Sequence, residues 1–415
     1  MKVILAHPGQ QHSFKVAQAL KQSGLLYKYM TCVYDTDRSW VMKFVHLIVK
    51  GRDVSRLANR KCDSLSEDDI EISYTFLSLV VIVFSKFRRL KKFSYWLDRK
   101  ISDHFGVRVA KYAIKHQVDA VICFSMNESK CFTYLSKHAP HIKRIVDCAN
   151  SPVAYMKHIY EEDMRQTGIC VLRKEVPSFW DHKEQQKQGQ GIKLTQYFLA
   201  PSNFVKHGLM YCGVNSASIY ILHYGSNFTP LEDRTISSDK GLKCVYVGQV
   251  TYRKGLHYLL KVFSDIHRDD ISLDVVGAWK PDSDLYEKYK NVPSIRFLGN
   301  QLHSEVKKYL MNADVFVFSS LTEGFSLSCL EALSCGLPVI CSKNSGVNDL
   351  ITNGENGFTF EYNDVNSLKN HIFSMADNKS LLTEMSKKAL ETAKKNTWSA
   401  YNKNFNAIVS AILEK

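Results

Sequence analysis

Two doubly wound α/β domains facing a cleft are what this sequence predicts, and three observations predict them. At 415 residues the chain is too long for one ordinary hydrophobic core. Short apolar runs alternate with amphipathic stretches along both halves, as in parallel sheets covered by helices. Between the halves, Gly225–Lys240 (GSNFTPLEDRTISSDK) is polar, contains proline and lacks periodicity, and the alternation restarts after it. The expected division is 1–228, 241–396, and a closing helix over 397–415 that returns to the first domain.

The first domain opens on Lys2–Ala6, a buried strand candidate, followed by a helix over Ser13–Lys21 with Phe14, Ala17 and Leu20 on one face. Ala120–Phe124 (AVICF), Arg144–Asp147 (RIVD) and Tyr197–Ala200 (YFLA) are apolar runs that end in polar loops, as buried parallel strands do. In the second domain Lys243–Val247, Ser272–Val276, Ile295–Leu298, Val315–Phe318 and Pro338–Cys341 read as strands, and Gly255–Phe263 as a helix. The closing helix rests on Phe405, Ile408, Ile412 and Leu413, which share one face.

Composition narrows the class. With 45% apolar and 23% charged residues this is a globular chain, and its longest apolar stretch, Tyr74–Phe84, is far shorter than the roughly 20 residues a bilayer demands. Met1–Ala6 is too short for a signal-peptide core. Eleven cysteines include no CxxC pair, and Cys329, Cys335 and Cys341 sit in apolar runs, so buried thiols and a cytoplasmic, reducing compartment are expected.

The net charge of +14 is uneven: Met1–Lys115 holds 21 basic and 10 acidic residues. An anionic partner is therefore expected on the first domain. Phe76, Val80, Val83, Phe87 and Leu90 fall on one helical face, with Lys86, Arg88, Arg89, Lys91 and Lys92 close by. Such a basic amphipathic helix suits peripheral contact with an anionic membrane; the alternative is a core-packed helix with a solvated edge. No nucleic-acid motif is present, so nucleic acid is not an expected partner.

Candidate site residues cluster in the second domain. Ser319–Ser342 (SSLTEGFSLSCLEALSCGLPVICS) places a polar loop after the Val315–Phe318 strand and a helix over Ser326–Ser334. In open α/β sheets ligands bind at the carboxyl ends of strands, and a helix amino terminus favours phosphate. Glu323 stands at the mouth of this loop beside Gly324, and Glu331 lies eight residues on, where it can face the same cleft. A carboxylate among Leu330, Ala332 and Leu333 needs a partner, and vicinal ribose hydroxyls would serve. Solvent-exposed helix-end glutamates are the plain alternative. A second strand-end loop, Gly248–Gly255 (GQVTYRKG), offers Arg253 and Lys254 for a diphosphate. No GxGxxG fingerprint occurs, which disfavours a nicotinamide enzyme.

Taken together, Val247–Gly255, Arg296–Gly299 (RFLG), the glutamate pair, Ala332–Ser342 (ALSCGLPVICS) and Asn353–Phe358 (NGENGF) resemble the nucleotide-binding domain of glycosyltransferase family 4, retaining enzymes of the GT-B fold. About 120 residues match in order. The first half resembles the family more loosely, at its opening strand, at Ala200–Leu209 and at Tyr220–Gly225.

The resemblance implies transfer of a hexose-type sugar from a nucleotide-diphosphate donor to a glycan or lipid-linked acceptor, in cell-surface polysaccharide biosynthesis. It implies catalytic roles for Glu323, Arg253 and Lys254. Donor binding would fall to Glu331, Gly248 and the backbone at Gly324, Phe325, Ser326 and Leu327. Gly9 and His158 become acceptor-side candidates. No cofactor or metal is implied, and no His/Cys/Asp cluster has metal spacing. A sugar-nucleotide epimerase on the same fold, or a partner that binds nucleotide sugar without transferring it, are the alternatives. Gln249 stands where many relatives carry arginine, which shifts the expected phosphate load toward Arg253.

Overall fold

A computed structural model of the chain describes residues 1–36, 60–85, 87, 89–234, 241–281 and 283–415. The first sheet contains β1 (Val3–Ala6), β2 (Leu26–Thr31), β3 (Ile70–Ile72), β4 (Ala120–Phe124), β5 (Lys143–Asp147), β6 (Tyr197–Ala200) and β7 (Ile219–Ile221) in the order β3-β2-β1-β4-β5-β6-β7. The second contains β8 (Leu242–Val247), β9 (Ile271–Val276), β10 (Ile295–Gly299), β11 (Val315–Phe318), β12 (Val339–Ser342) and β13 (Gly357–Phe360) in the order β10-β9-β8-β11-β12-β13. Every pairing within the two sheets is parallel.

Helices cover both faces. In the first domain these are α1 (Ser13–Gln22), α2 (Thr75–Ser85), α3 (Lys91–Lys115), α4 (Ser129–His138), α5 (Val153–Thr167), α6 (Leu172–Glu175), α7 (His182–Leu194) and α8 (Asn203–Tyr211). The second domain carries α9 (Leu256–Ser264), α10 (Asp284–Tyr289), α11 (His303–Met311), α12 (Leu327–Ser334), α13 (Val365–Asp377) and α14 (Lys379–Lys395), and α15 (Trp398–Glu414) closes the chain. Covered on both sides, β1, β4, β11 and β12 are buried at every residue, which is why they read as unbroken apolar runs.

Strand order fixes where a ligand can lie. It reverses between β1 and β4 in one sheet and between β8 and β11 in the other, and crevices form at the carboxyl ends of such switch points. The loops after β1, β8 and β11 therefore meet across the cleft.

Helix α15 returns to the first domain, where it packs on α1 with Tyr401, Phe405, Val409 and Ile412 buried. Asn402 donates to the Gln22 side chain at 3.1 Å, and the Lys143 ammonium caps the last turn through the Ile412 and Leu413 carbonyls, both at 2.8 Å. The polar connection between the domains is tied down before it leaves the described residues. The Arg234 guanidinium donates to the carbonyls of Leu310, Met311, Ala313 and Cys335, closing the ends of α11 and α12. Residues 235–240 of that connection lie outside the described residues.

The expected amphipathic helix through Leu90 is shorter than its periodicity suggests. It stops at Ser85, and Phe87, Arg89 and Leu90 belong to a turn that leads into α3; Lys86 and Arg88 lie outside the described residues. Among the described residues no helix is long and apolar enough to cross a membrane. All eleven cysteines are free, and eight of them are buried.

Candidate functional site

The β8 and β11 loops are locked together. After β8 the chain makes a short 3-10 turn at Tyr252–Lys254 and enters α9 through Gly255, whose φ of 63° is left-handed and whose added Cβ would lie 1.8 Å from the Ser319 carbonyl. Leu321 donates its amide to the Arg253 carbonyl at 3.2 Å, and the Ser319 hydroxyl donates to the Gly255 carbonyl at 2.9 Å. From β12, Ser342 donates to the Ser320 carbonyl at 2.6 Å, while Glu323 donates its amide to the Asn344 carbonyl at 2.9 Å. The loop backbone is thus fixed before any ligand arrives.

On this frame the Lys254 ammonium pairs with the Glu323 carboxylate, both mostly sheltered, and lies 5.4 Å from the centre of the Phe318 ring. The pair joins the two strand-end loops. The Arg253 guanidinium makes no hydrogen bond or ion pair among the described residues, whereas its amide and that of Tyr252 both donate to the Glu175 carboxylate at 2.9 Å. Glu175 ends α6 and belongs to the facing domain.

Glu331 is 5% exposed on the second turn of α12 and does have partners. Its Oε1 accepts from Asn227 at 3.1 Å and lies 2.9 Å from the His303 Nε2. Asn227 in turn accepts from the Trp398 indole at 3.1 Å, so the start of the closing helix steadies this carboxylate through one intermediary. Neither Asn227 nor His303 was legible beforehand, because 104 and 28 positions separate them from Glu331.

The backbone around Gly324 differs from expectation. Of the amides at Gly324–Leu327, Gly324 already donates to Asn150 at 3.1 Å and Ser326 to the Ser345 carbonyl at 3.2 Å. Only those of Phe325 and Leu327 lack an acceptor among the described residues. Ser326 caps α12 by accepting from Cys329. Gly248 opens the β8 loop, and a Cβ there would lie 2.7 Å from the Tyr246 hydroxyl.

The facing domain closes on the same loops. Ser202 donates to the Gly324 carbonyl at 2.7 Å, Tyr160 and Thr322 share a 2.5 Å hydrogen bond, and Tyr258 donates to Asp163 at 2.6 Å. A Cβ added to Gly324 would lie 1.9 Å from the Ala149 carbonyl, so the two domains touch backbone to backbone there.

After β1, Gly9 donates its amide to Nδ1 of buried His7, whose pKa falls to about 4 because burial penalises the charged ring. His12 lies 3.0 Å from the buried Asp147 carboxylate at the end of β5, with its ring against Tyr224 and Phe124. Tyr224 in turn meets Phe325. His7 and His12 went unnoticed in the sequence, although HPGQQH directly after an apolar strand was the available signal. His158 is not gathered with them: it is exposed on α5, and its ring stacks on Tyr211 at the far end of α8. Among the described residues no group of three His, Cys, Asp or Glu side chains could hold a metal ion.

Comparison with known proteins follows this geometry. Residues 230–393 match the family model "Glycosyl transferases group 1". A putative colanic acid biosynthesis glycosyltransferase, WcaL, of Salmonella typhimurium is 24% identical over 259 residues, 59% of this chain and 63% of that protein. The matched stretch spans between 42% and 63% of the first curated relatives, about half their length. Among solved structures, the apo form of lipopolysaccharide outer core galactosyltransferase WaaB superposes with a TM-score of 0.65 at 17% identity, over 99% of both chains. Anabaena HepE in complex with UDP does so with 0.62 at 13% identity, over 99% of this chain and 100% of that one. The second half of the chain thus matches the group 1 glycosyl transferases, and the chain as a whole carries a two-domain GT-B fold.

Proposed function

We propose that this protein transfers a hexose-type sugar, with retention of anomeric configuration, from a nucleotide-diphosphate sugar to a glycan or lipid-linked acceptor in cell-surface polysaccharide assembly. The observation that carries this reading is the Lys254–Glu323 pair set between two strand-end loops, eight residues before buried Glu331 on α12. In the unliganded site each charge satisfies the other. A donor would separate them: the diphosphate takes Lys254 and the unengaged Arg253 guanidinium, sugar hydroxyls take Glu323, and the ribose takes Glu331 in place of exposed His303. The amides of Phe325 and Leu327 complete the phosphate cradle at the start of α12.

Charge that develops on the leaving diphosphate would then be met by fixed cations and amides, with no metal in the reading. Front-face attack, with the donor phosphate helping to take the acceptor proton, is the retaining route. The group 1 family model and the WcaL likeness support sugar transfer in polysaccharide biosynthesis, and the UDP bound to the HepE fold relative is a reason to try uridine donors first. The work would be done in the cytoplasm, at or near the inner face of the membrane.

The test is a thermal-shift panel of UDP-, GDP- and ADP-sugars on wild type, Glu331→Ala and Arg253→Ala. One nucleotide sugar should raise the wild-type melting temperature by a few degrees, as mass action requires for a ligand held at about 100 times its Kd. Both variants should lose most of that shift. A folded wild type that responds to none of them would sink the donor assignment.

A further inference from the structure

Helix α2 breaks the ordinary rule for an apolar helix. Its sequence, TFLSLVVIVFS, carries no charge, yet none of its eleven residues is buried. Phe76 is 60% exposed and Val83 50% exposed, and the start of α3 adds Phe93, Tyr95 and Trp96, each about half exposed. The two helices form one hairpin: buried Ser94 donates to the Val81 carbonyl at 2.9 Å, and Phe93 packs on both Phe84 and Trp96. A contiguous aromatic and aliphatic face of this kind, open to water, marks an interaction surface.

One side of the hairpin rests on the body, where Leu79, Val81 and Leu97 pack against the first-domain core, and the other side is left open. At 1.5 Å per residue, α3 is about 37 Å long, while β4, which follows it, spans only about 16 Å. Apart from Ser94, the buried residues of α3 begin at Ile101, so its first ten residues are the least covered part of the helix. Helix α2 itself starts three residues after the carboxyl end of β3, at the rim of the cleft.

Charge decides what can cover this face. The stretch Tyr74–Lys100 contains seven lysines and arginines and one acid, Asp98. Arg99 is engaged by Glu184 at 2.8 Å, but Arg89, Lys91, Lys92 and Lys100 form no ion pair among the described residues. A second copy of the chain would bring two such clusters together, and their repulsion would oppose apolar burial. An anionic bilayer satisfies both halves: acyl chains and interfacial carbonyls take the aromatics, and lipid phosphates take the cations.

We propose that the α2–α3 hairpin docks the first domain on an anionic membrane surface and so holds the cleft rim against the headgroups. The docking stands independently of the donor site; only its use, delivery of a lipid-linked acceptor to the cleft, rests on the function proposed above.

Flotation of the full chain with vesicles tests it, using phosphatidylcholine alone or with about one-third phosphatidylglycerol. Wild type should bind the anionic vesicles at least ten-fold more tightly than the neutral ones, and lose that margin as salt rises to about 0.5 M. Lys91→Glu with Lys92→Glu should weaken anionic binding about ten- to thirty-fold. Phe76→Ser with Phe93→Ser and Trp96→Ser should abolish binding to both, while the donor-induced thermal shift stays at its wild-type value, since all three side chains are about half exposed or more and none belongs to the donor site. Wild type left unbound with anionic vesicles, or a triple variant that binds as wild type does, overturns the proposal. So does self-association of wild type, without vesicle binding, that the triple variant loses.

Discussion

Two sets of loops meet in the cleft, and they are built on different plans. On the second domain the loops after β8, β11 and β12 are laced together by main-chain and hydroxyl hydrogen bonds, and they present opposite charges, Lys254 and Arg253 against Glu323 and Glu331. On the first domain the loop after β1 sets His12 against the buried Asp147 carboxylate, walled by aromatic rings. A rigid charged cradle suits a ligand group that never varies, such as a diphosphate. A wall of aromatic rings suits a partner that does vary, because its fit depends on shape more than on fixed ion pairs.

Three experiments break or sharpen this contrast. The largest effect should come from the charged side: Lys254→Ala should lower kcat by about 10²–10³ with little loss of melting temperature, measured in a transfer assay with the donor found by thermal shift. A loss below ten-fold would mean that the cation is structural.

His7 tests the other side through stability. Its folded pKa is depressed to about 4, so neutral His7 favours the fold above the unfolded value of about 6.5, and the advantage drains away as pH falls from about 6.5 toward 4. Urea melts at neutral and acid pH should therefore show a loss of at most about 3 kcal/mol attributable to this ring, and His7→Asn should flatten the profile. An unchanged profile in the variant would remove His7 from the account.

The third probe touches the seam between the plans. Gly324→Ala places a methyl where the Ala149 carbonyl now lies, which opposes closure without disturbing either core. Turnover should fall about ten-fold or more, with scattering showing a wider cleft and the melting temperature nearly unchanged. Full activity would mean that the backbone contact across the cleft is dispensable.

The same contrast runs through what could be read from residues alone. Strands buried on both faces announced themselves, since β4, β6 and β11 are apolar throughout. Strand β2 and the edge strands β3 and β7 did not, because they admit the half-buried Lys28, Glu71 and Tyr220, which blur any pattern. Charged residues of the second domain were legible because loop and helix lie close in sequence there. Their partners were not: Asn150, Glu175 and Asn227 reach the site from the other domain or the connection, and no local spacing encodes such a meeting. The amides assigned to a ligand show the same limit, for two of four were already spoken for by Asn150 and Ser345.

Helix α15 has a consequence for how the molecule is made. The first domain ends its own strands at Ile221, yet the helix that covers α1 is translated only after the whole second domain. Some 190 residues must emerge in between, roughly 10–40 s of synthesis at ordinary elongation rates. Throughout that interval the apolar patch destined for Tyr401, Phe405 and Val409 lies bare on the ribosome, with the second domain free to fold first. Birth order and folding order are thus reversed, and a nascent chain stalled before Trp398 would leave its N-terminal half in the hands of chaperones.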